Sequence, residues 1–208
     1  HGDSCMTDLP AVLAPLAERP RLVITRHAWN APMGWHRGNC DAYSAACESA
    51  AALCRPYTDM EVIAVPNGVD TETFRPLPGS VPSLPIVAWC GRSLDPVKNW
   101  AQYVSVTWRL GDQLDYWAAD ADAERAPNPD DTGARHVTLR RRFTRDELPE
   151  FFSAVARSGG CLLATSRAEG GRPLAYLEAM ACGCPVLGPD VRGVRDLLTG
   201  DLRSWLFP

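Results

Sequence analysis

Short apolar runs alternate along this chain with longer segments whose apolar residues recur at helical spacing. Arg21–His27, Glu61–Val65, Pro85–Cys90, Leu114–Ala119, His136–Leu139, Cys161–Thr165 and Pro185–Gly188 are the runs, each short enough for a buried strand. Between and around them, Asp8–Arg19 (opened by a capping aspartate), Asn99–Leu110, Asp146–Arg157 and Gly193–Leu198 read as helices. Strands that alternate with helices predict an α/β fold with a mostly parallel sheet covered on both faces. Residues 41–55 admit two readings. Cys40, Cys47 and Cys54 recur every seven residues, as on one helix with an Ala-rich face. Alternatively a strand Ala42–Ala46 turns near Cys47 into a helix Glu48–Arg55. Pro56 ends either version.

The stretch Glu169–Gly183 organises the second half. It reads as a glycine-bearing loop that opens into a helix directly after the run Cys161–Thr165. Pro173 suits the first helical turn, and Leu174, Leu177 and Ala181 repeat at core-facing intervals. Gly183 stands where a left-handed residue usually ends a helix. The free N–H groups at such a helix start bind anions, phosphate above all. Glu169 and Glu178 flank that site and would repel phosphate, so they are better suited to accepting hydrogen bonds from hydroxyls, as on a ribose or a sugar. Spacing alone fits equally well an ordinary surface loop and helix with two solvated acids. His27 ends its run where parallel sheets hold ligands; a satisfied core or surface imidazole fits the same spacing.

Composition narrows the class. The chain has 208 residues, 46% of them hydrophobic and 22% charged, as in a soluble globular protein of one large or two small domains. A formal net charge of −4 gives no global attraction to nucleic acid or anionic lipid. The eight cysteines form neither a disulfide framework nor a zinc pattern, which points to reduced, cytosolic thiols. Thr71–Leu84 carries three prolines and reads as a linker, with domains expected at 1–75 and 76–208. Asp120–Gly133 is acidic and Pro-bearing and reads as a solvated surface loop. No Gly-x-Gly-x-x-Gly follows the first strand, which disfavours a nucleotide-binding oxidoreductase.

Three separated motifs resemble one family. Val65–Pro76 (Val-Pro-Asn-Gly-Val-Asp-Thr-Glu-Thr-Phe-Arg-Pro), Gly91-Arg92 with Lys98, and Glu169 followed by Leu177-Glu-Ala-Met-Ala-Cys-Gly-Cys-Pro-Val186 are similar to glycosyltransferase family 4. The resemblance implies a GT-B-like fold, with a Rossmann-like nucleotide-sugar domain and part of a second Rossmann-like domain. It also favours the strand–turn–helix reading of residues 41–55. The implied activity is transfer of a sugar, with retention of configuration, from a nucleoside-diphosphate sugar to a sugar, lipid or small-molecule acceptor. No metal is expected. Arg92 and Lys98 would hold the diphosphate beside Gly91, and Glu178 the ribose. Gly170, Gly171, Arg172, Pro173 and Leu174 would line the donor at the loop-to-helix turn. His27 and Glu169 are the implied catalytic pair, His27 positioning or polarising the reacting sugar and Glu169 accepting a hydrogen bond from it. The family spaces its two acids by eight positions, whereas Glu169 precedes Glu178 by nine. Either the loop holds an extra residue or Glu169 is displaced. Arg141 and Arg192 replace glycines common in the family and would reshape the pocket edge. Asp120-Ala-Asp122 matches the metal-binding Asp-x-Asp of the other common glycosyltransferase fold, but it sits in the acid-rich loop just described. Measured against the family, residues 1–70 resemble only the second half of the N-terminal domain, and the returning C-terminal helices are missing. The expectation is a chain shortened at both ends that binds donor but transfers sugar poorly or not at all, and the alternative to an enzyme is a nucleotide-sugar-binding module or fragment without turnover. The resemblance places the protein in the cytoplasm and leaves room for peripheral membrane association and a homo-oligomer.

Overall fold

The computed structural model of the chain describes residues 18, 20–27, 40–125 and 136–208. The expected helix Asp8–Arg19 lies outside the described residues, apart from Glu18. The chain divides into two compact units, residues 1–67 with 170–172, and residues 68–169 with 173–208.

In the smaller unit, strands β1 (Val23–Arg26), β2 (Ala42–Ala45) and β3 (Val62–Ala64) pair in parallel in that order. Their register aligns Ile24 with Tyr43 and Tyr43 with Val62, so three buried side chains meet across the sheet. Helix α1 (Glu48–Cys54) adds Ala50, Ala51 and Cys54 to that core. Cys47 is extended (φ −165°, ψ 167°), so the chain is strand, turn and helix here, and the single-helix alternative does not occur. The seven-residue cysteine spacing arises because Cys40, Cys47 and Cys54 all enter the same core from different elements.

The larger unit is a sheet of six described strands in the order β6-β5-β4-β7-β8-β9, every pairing parallel. The strands are β4 (Ile86–Gly91), β5 (Asp115–Asp120), β6 (Leu139–Arg141), β7 (Cys161–Leu163), β8 (Val186–Pro189) and β9 (Leu206–Phe207). Their connections carry α2 (Trp100–Leu110), α3 (Leu148–Arg157), α4 (Leu174–Ala181) and α5 (Arg192–Arg195). Side-chain alternation along β4 sorts the two faces. Val87 and Trp89 pack with Trp100, Tyr103 and Val104 of α2. Ile86 and Ala88 pack with Phe151, Phe152 and Val155 of α3 and with Tyr176 and Ala179 of α4. Burial on both faces is why these strands read as continuous apolar runs. The chain order of the strands reverses between β4 and β7, and in sheets of this order the crevice at the carboxyl ends of those two strands holds the ligand.

Several expectations are corrected. Leu174 does not face the core: it is 53% exposed, while Tyr176 and Ala179 are buried. Leu177, expected to face inward as well, is only partly buried, whereas Ala181 packs against the core as expected. The helix begins after Pro173, whose ψ of 130° is extended, and its buried positions are Tyr176 and Ala179. Gly183 does adopt positive φ, 77°. Strand β6 starts at Leu139 rather than His136. β9 and the 3-10 turn Gly200–Trp205 before it were not anticipated, because a two-residue strand carries no periodicity. The Pro-rich stretch 71–84 is anchored to the larger unit: Phe74 is buried in its core, and the Arg157 guanidinium donates to the carbonyls of Leu77 and Ser80.

Gly160 marks the tightest approach in the sheet. A Cβ there would stand 1.9 Å from the Ile86 carbonyl oxygen at the start of β4. Gly160→Ala is therefore expected to cost at least about 1–3 kcal/mol, because backbone and not a flexible side chain must move. A urea midpoint unchanged from wild type would contradict this packing.

Candidate functional site

The loop that leaves β4 is held on two sides. On the β5 side, Ala121 donates its backbone N–H to the Gly91 carbonyl (2.9 Å). The Asp120 carboxylate accepts the Ser93 N–H (3.0 Å), and Asp122 accepts the Leu94 N–H (3.2 Å). On the β7 side, Thr165 Oγ1 accepts from Trp89 Nε1 (3.1 Å) and donates toward the carbonyls of Lys98 (3.0 Å) and Asn99 (3.1 Å). Arg167 donates its backbone N–H to Val97 O (2.8 Å). Gly91 must lack a side chain, since a Cβ would come within 2.9 Å of the Trp89 ring. Asn99 turns the chain into α2 in the left-handed region, at φ 51°. Residues 91–99 thus form a rigid loop over the switch point.

This loop fixes two cations. Arg92 is exposed and pairs with Asp95 within the loop. Lys98 Nζ lies 2.6 Å from Glu169 Oε1, and both side chains are largely buried, 24% and 11% exposed. The resemblance treats Lys98 and Glu169 as ligands of different parts of one donor; the fold places them in direct contact. An ammonium has three donors, so one can hold Glu169 while the others face a ligand.

Glu178 sits on the second turn of α4, half-buried, and its carboxylate has no hydrogen bond or ion pair among the described residues. Loss of solvent raises its pKa, opposed in part by the charge of Arg145. Burial, and then the charge of Glu178, push the Cys90 thiol up to about 12, which places this carboxylate near the end of β4. The sign of the pH dependence follows from the raised folded-state pKa. Glu178 carries no penalty below its ordinary value of 4.5, and stability is lost as pH rises through the folded-state value. Glu178→Gln is expected to raise Tm at pH 7–8, by about 2–4 °C for each kcal/mol relieved, and to give no gain near pH 3.5. A gain of equal size at both pH values would contradict burial as the cause.

The remaining candidates fall as follows. Leu174 and Ala175 open α4, and their backbone N–H groups have no partner within the helix. His27 follows β1 directly and is exposed, in the smaller unit. Gly170, Gly171 and Arg172 group with that unit too. Gly171 packs where a Cβ would meet the Ala46 methyl at 2.6 Å, and Asn67 Nδ2 donates to the Arg172 carbonyl (2.8 Å). Arg141 lies on β6, paired with Glu147 (3.0 Å) and stacked on Phe143. Arg192 begins α5.

Asp120 and Asp122 are corrected outright: they are not solvated loop acids but are 0% and 3% exposed. Asp120 Oδ2 accepts from Arg140 Nε (3.0 Å) and Nη2 (2.8 Å), and Asp122 Oδ1 from Arg125 (2.5 Å). The hydrogen bond from Arg125, first, and that from the Leu94 N–H hold the Asp122 carboxyl below its usual range. Sequence reasoning weighed Asp120 only as a metal ligand or a solvated acid, and passed over Arg140 and Thr165. The available signal was position, since each belongs to a strand or strand end beside the switch point. Among the described residues, no three His, Cys, Asp or Glu side chains converge as a metal site.

Comparison with known proteins bears on the fold. Residues 113–208 match the family model described as glycosyl transferases group 1. A sequence comparison with curated proteins gives no significant match. Among solved structures, TarM superposes with a TM-score of 0.69 at 14% identity, covering 97% of this chain and 43% of that one. Anabaena HepE in complex with UDP-glucose gives 0.59 at 15%, covering 76% and 47%. The lipopolysaccharide outer core galactosyltransferase WaaB gives 0.56 at 18%, covering 82% and 47%. The chain thus spans about half the length of the solved structures it resembles. At these identities the likeness establishes the fold: α/β, with the Rossmann-like parallel sheets found in GT-B glycosyltransferases.

Proposed function

We propose that this chain carries the donor side of a retaining glycosyltransferase that takes its sugar from a nucleoside diphosphate without a metal ion. The observation that carries the reading is the placement of Arg92 and the Lys98–Glu169 pair on one clamped loop and its β7 counterpart, at the switch point of the sheet. As the bond between the sugar and the diphosphate breaks, negative charge gathers on the leaving phosphate. Arg92, the two free donors of Lys98 and the N–H groups that open α4 are the groups assigned to stabilise it. Glu178 is assigned to the ribose hydroxyls, because an unpaired carboxylate in a half-dry site gains hydrogen bonds on binding. Glu169, steered by Lys98, is assigned to a hydroxyl of the transferred sugar, which treats the nine-residue spacing as one extra loop residue. His27 is assigned to the reacting sugar, and Gly170–Arg172 to the donor edge.

Metal independence draws support from Asp120 and Asp122, whose oxygens are already taken by Arg140, Arg125 and backbone N–H groups. The structural relative bound to UDP-glucose makes uridine donors the first to test. The experiment is a panel of nucleotide sugars with a hydroxyl acceptor in chelator, with product configuration read by NMR. Product with the donor's anomeric configuration supports the reading; an inverted product, or transfer that starts only when a divalent cation is added, contradicts it.

A further inference from the structure

Asp120 and Arg140 form a buried ion pair whose role the donor assignment leaves unexplained. Asp120 closes β5, Arg140 lies in β6, and their side chains are 0% and 4% exposed. Both guanidinium contacts go to Asp120 Oδ2, while Oδ1 accepts the backbone N–H groups of Ser93 and Asp122, each at 3.0 Å. Arg140 Nη2 also donates to Ser93 Oγ (3.2 Å), and the guanidinium carbon lies 5.0 Å from the Trp100 ring at the start of α2. Burying two charges is costly, and an apolar pair of similar volume would serve packing at least as well. Both members of the pair nevertheless reach Ser93, the residue just after Arg92: Asp120 through its backbone N–H and Arg140 through its hydroxyl.

We propose that the Asp120–Arg140 pair positions the phosphate-binding loop, acting through Ser93 to hold Arg92 where a diphosphate docks. Both are positioning residues, and neither touches the donor. The Asp-x-Asp tripeptide is thereby given a role other than metal binding: its first acid fixes Ser93 and its second fixes Leu94. The proposal rests on the donor reading above. A lysine at 140 keeps the buried charge but cannot present the two-nitrogen fork to Asp120 or reach Ser93 at the same time.

The test compares UDP with uridine, which lacks the phosphates, on the full chain and on Arg140→Lys, by NMR titration. Arg140→Lys is expected to bind UDP about tenfold more weakly and uridine within about twofold of wild type. Asp120→Asn is expected to show the same split. Equal losses for UDP and uridine, or unchanged UDP affinity in a folded variant, overturn the proposal and leave the donor reading standing. Failure of the wild-type chain to bind either probe overturns both. Should neither variant fold, amide exchange on the wild-type chain decides: strong protection of Ser93 and Leu94 supports the positioning role, and free-loop exchange rates refute it.

Discussion

Lys98→Ala is expected to slow sugar transfer by about a hundred- to a thousandfold in kcat, the usual cost of removing one preorganised donor from a site of developing negative charge. Lys98 earns this weight by its setting. Its backbone is held by Thr165 just past β7, its ammonium is steered by Glu169, and its surroundings are largely dry. No reorganisation is then needed when the phosphate leaves. The substitution also strands Glu169, an 11% exposed carboxylate, and so should destabilise the larger unit. The double variant Lys98→Ala, Glu169→Ala separates the two effects: it should recover Tm and leave transfer as slow. Kinetics on the donor that the panel identifies checks this, and a fall of less than about fivefold in kcat contradicts the role.

Glu178→Ala should weaken binding of a bare nucleoside diphosphate about tenfold to a hundredfold, whereas Glu169→Ala should leave it unchanged or slightly tighter. A carboxylate that accepts ribose hydroxyls loses charge-assisted bonds worth about 1.5–3 kcal/mol. Removing Glu169 frees Lys98 for the phosphate and takes a negative charge away from it. Once the sugar is attached, Glu169→Ala should bind more weakly too, because its proposed contact is to that sugar. Calorimetry with the diphosphate and with the intact donor reads both differences. Equal losses for the two variants on the bare diphosphate would refute the division of labour.

The repeating apolar runs gave away the parallel sheet, because a strand buried on both faces shows little else. The loop-to-helix unit was legible in part: Gly183 ends α4 at positive φ as read, whereas Pro173, read into the first helical turn, stands extended just before it. What stayed hidden depended on neighbours distant in sequence. Nothing local tells that Asp120 is buried; its partners Ser93 and Arg140 lie 27 and 20 residues away. An acid followed by further acids reads as solvated until a strand end carries it inward. Leu174 misled for the opposite reason, since a leucine at a helix start looks like core, yet Tyr176 and Ala179 take the inward positions and Leu174 is exposed. The contact between Lys98 and Glu169 likewise spans 71 residues and is invisible to any periodicity.

The claim at the centre of this account is that the switch point of the larger unit binds a nucleoside diphosphate through Arg92 and Lys98 without a metal. Calorimetric titration of the chain with UDP, in chelator and again in magnesium, tests it most directly. One saturable site of equal affinity under both conditions, lost in Arg92→Ala, Lys98→Ala, is the predicted result. No binding, or binding that appears only with magnesium, would contradict it.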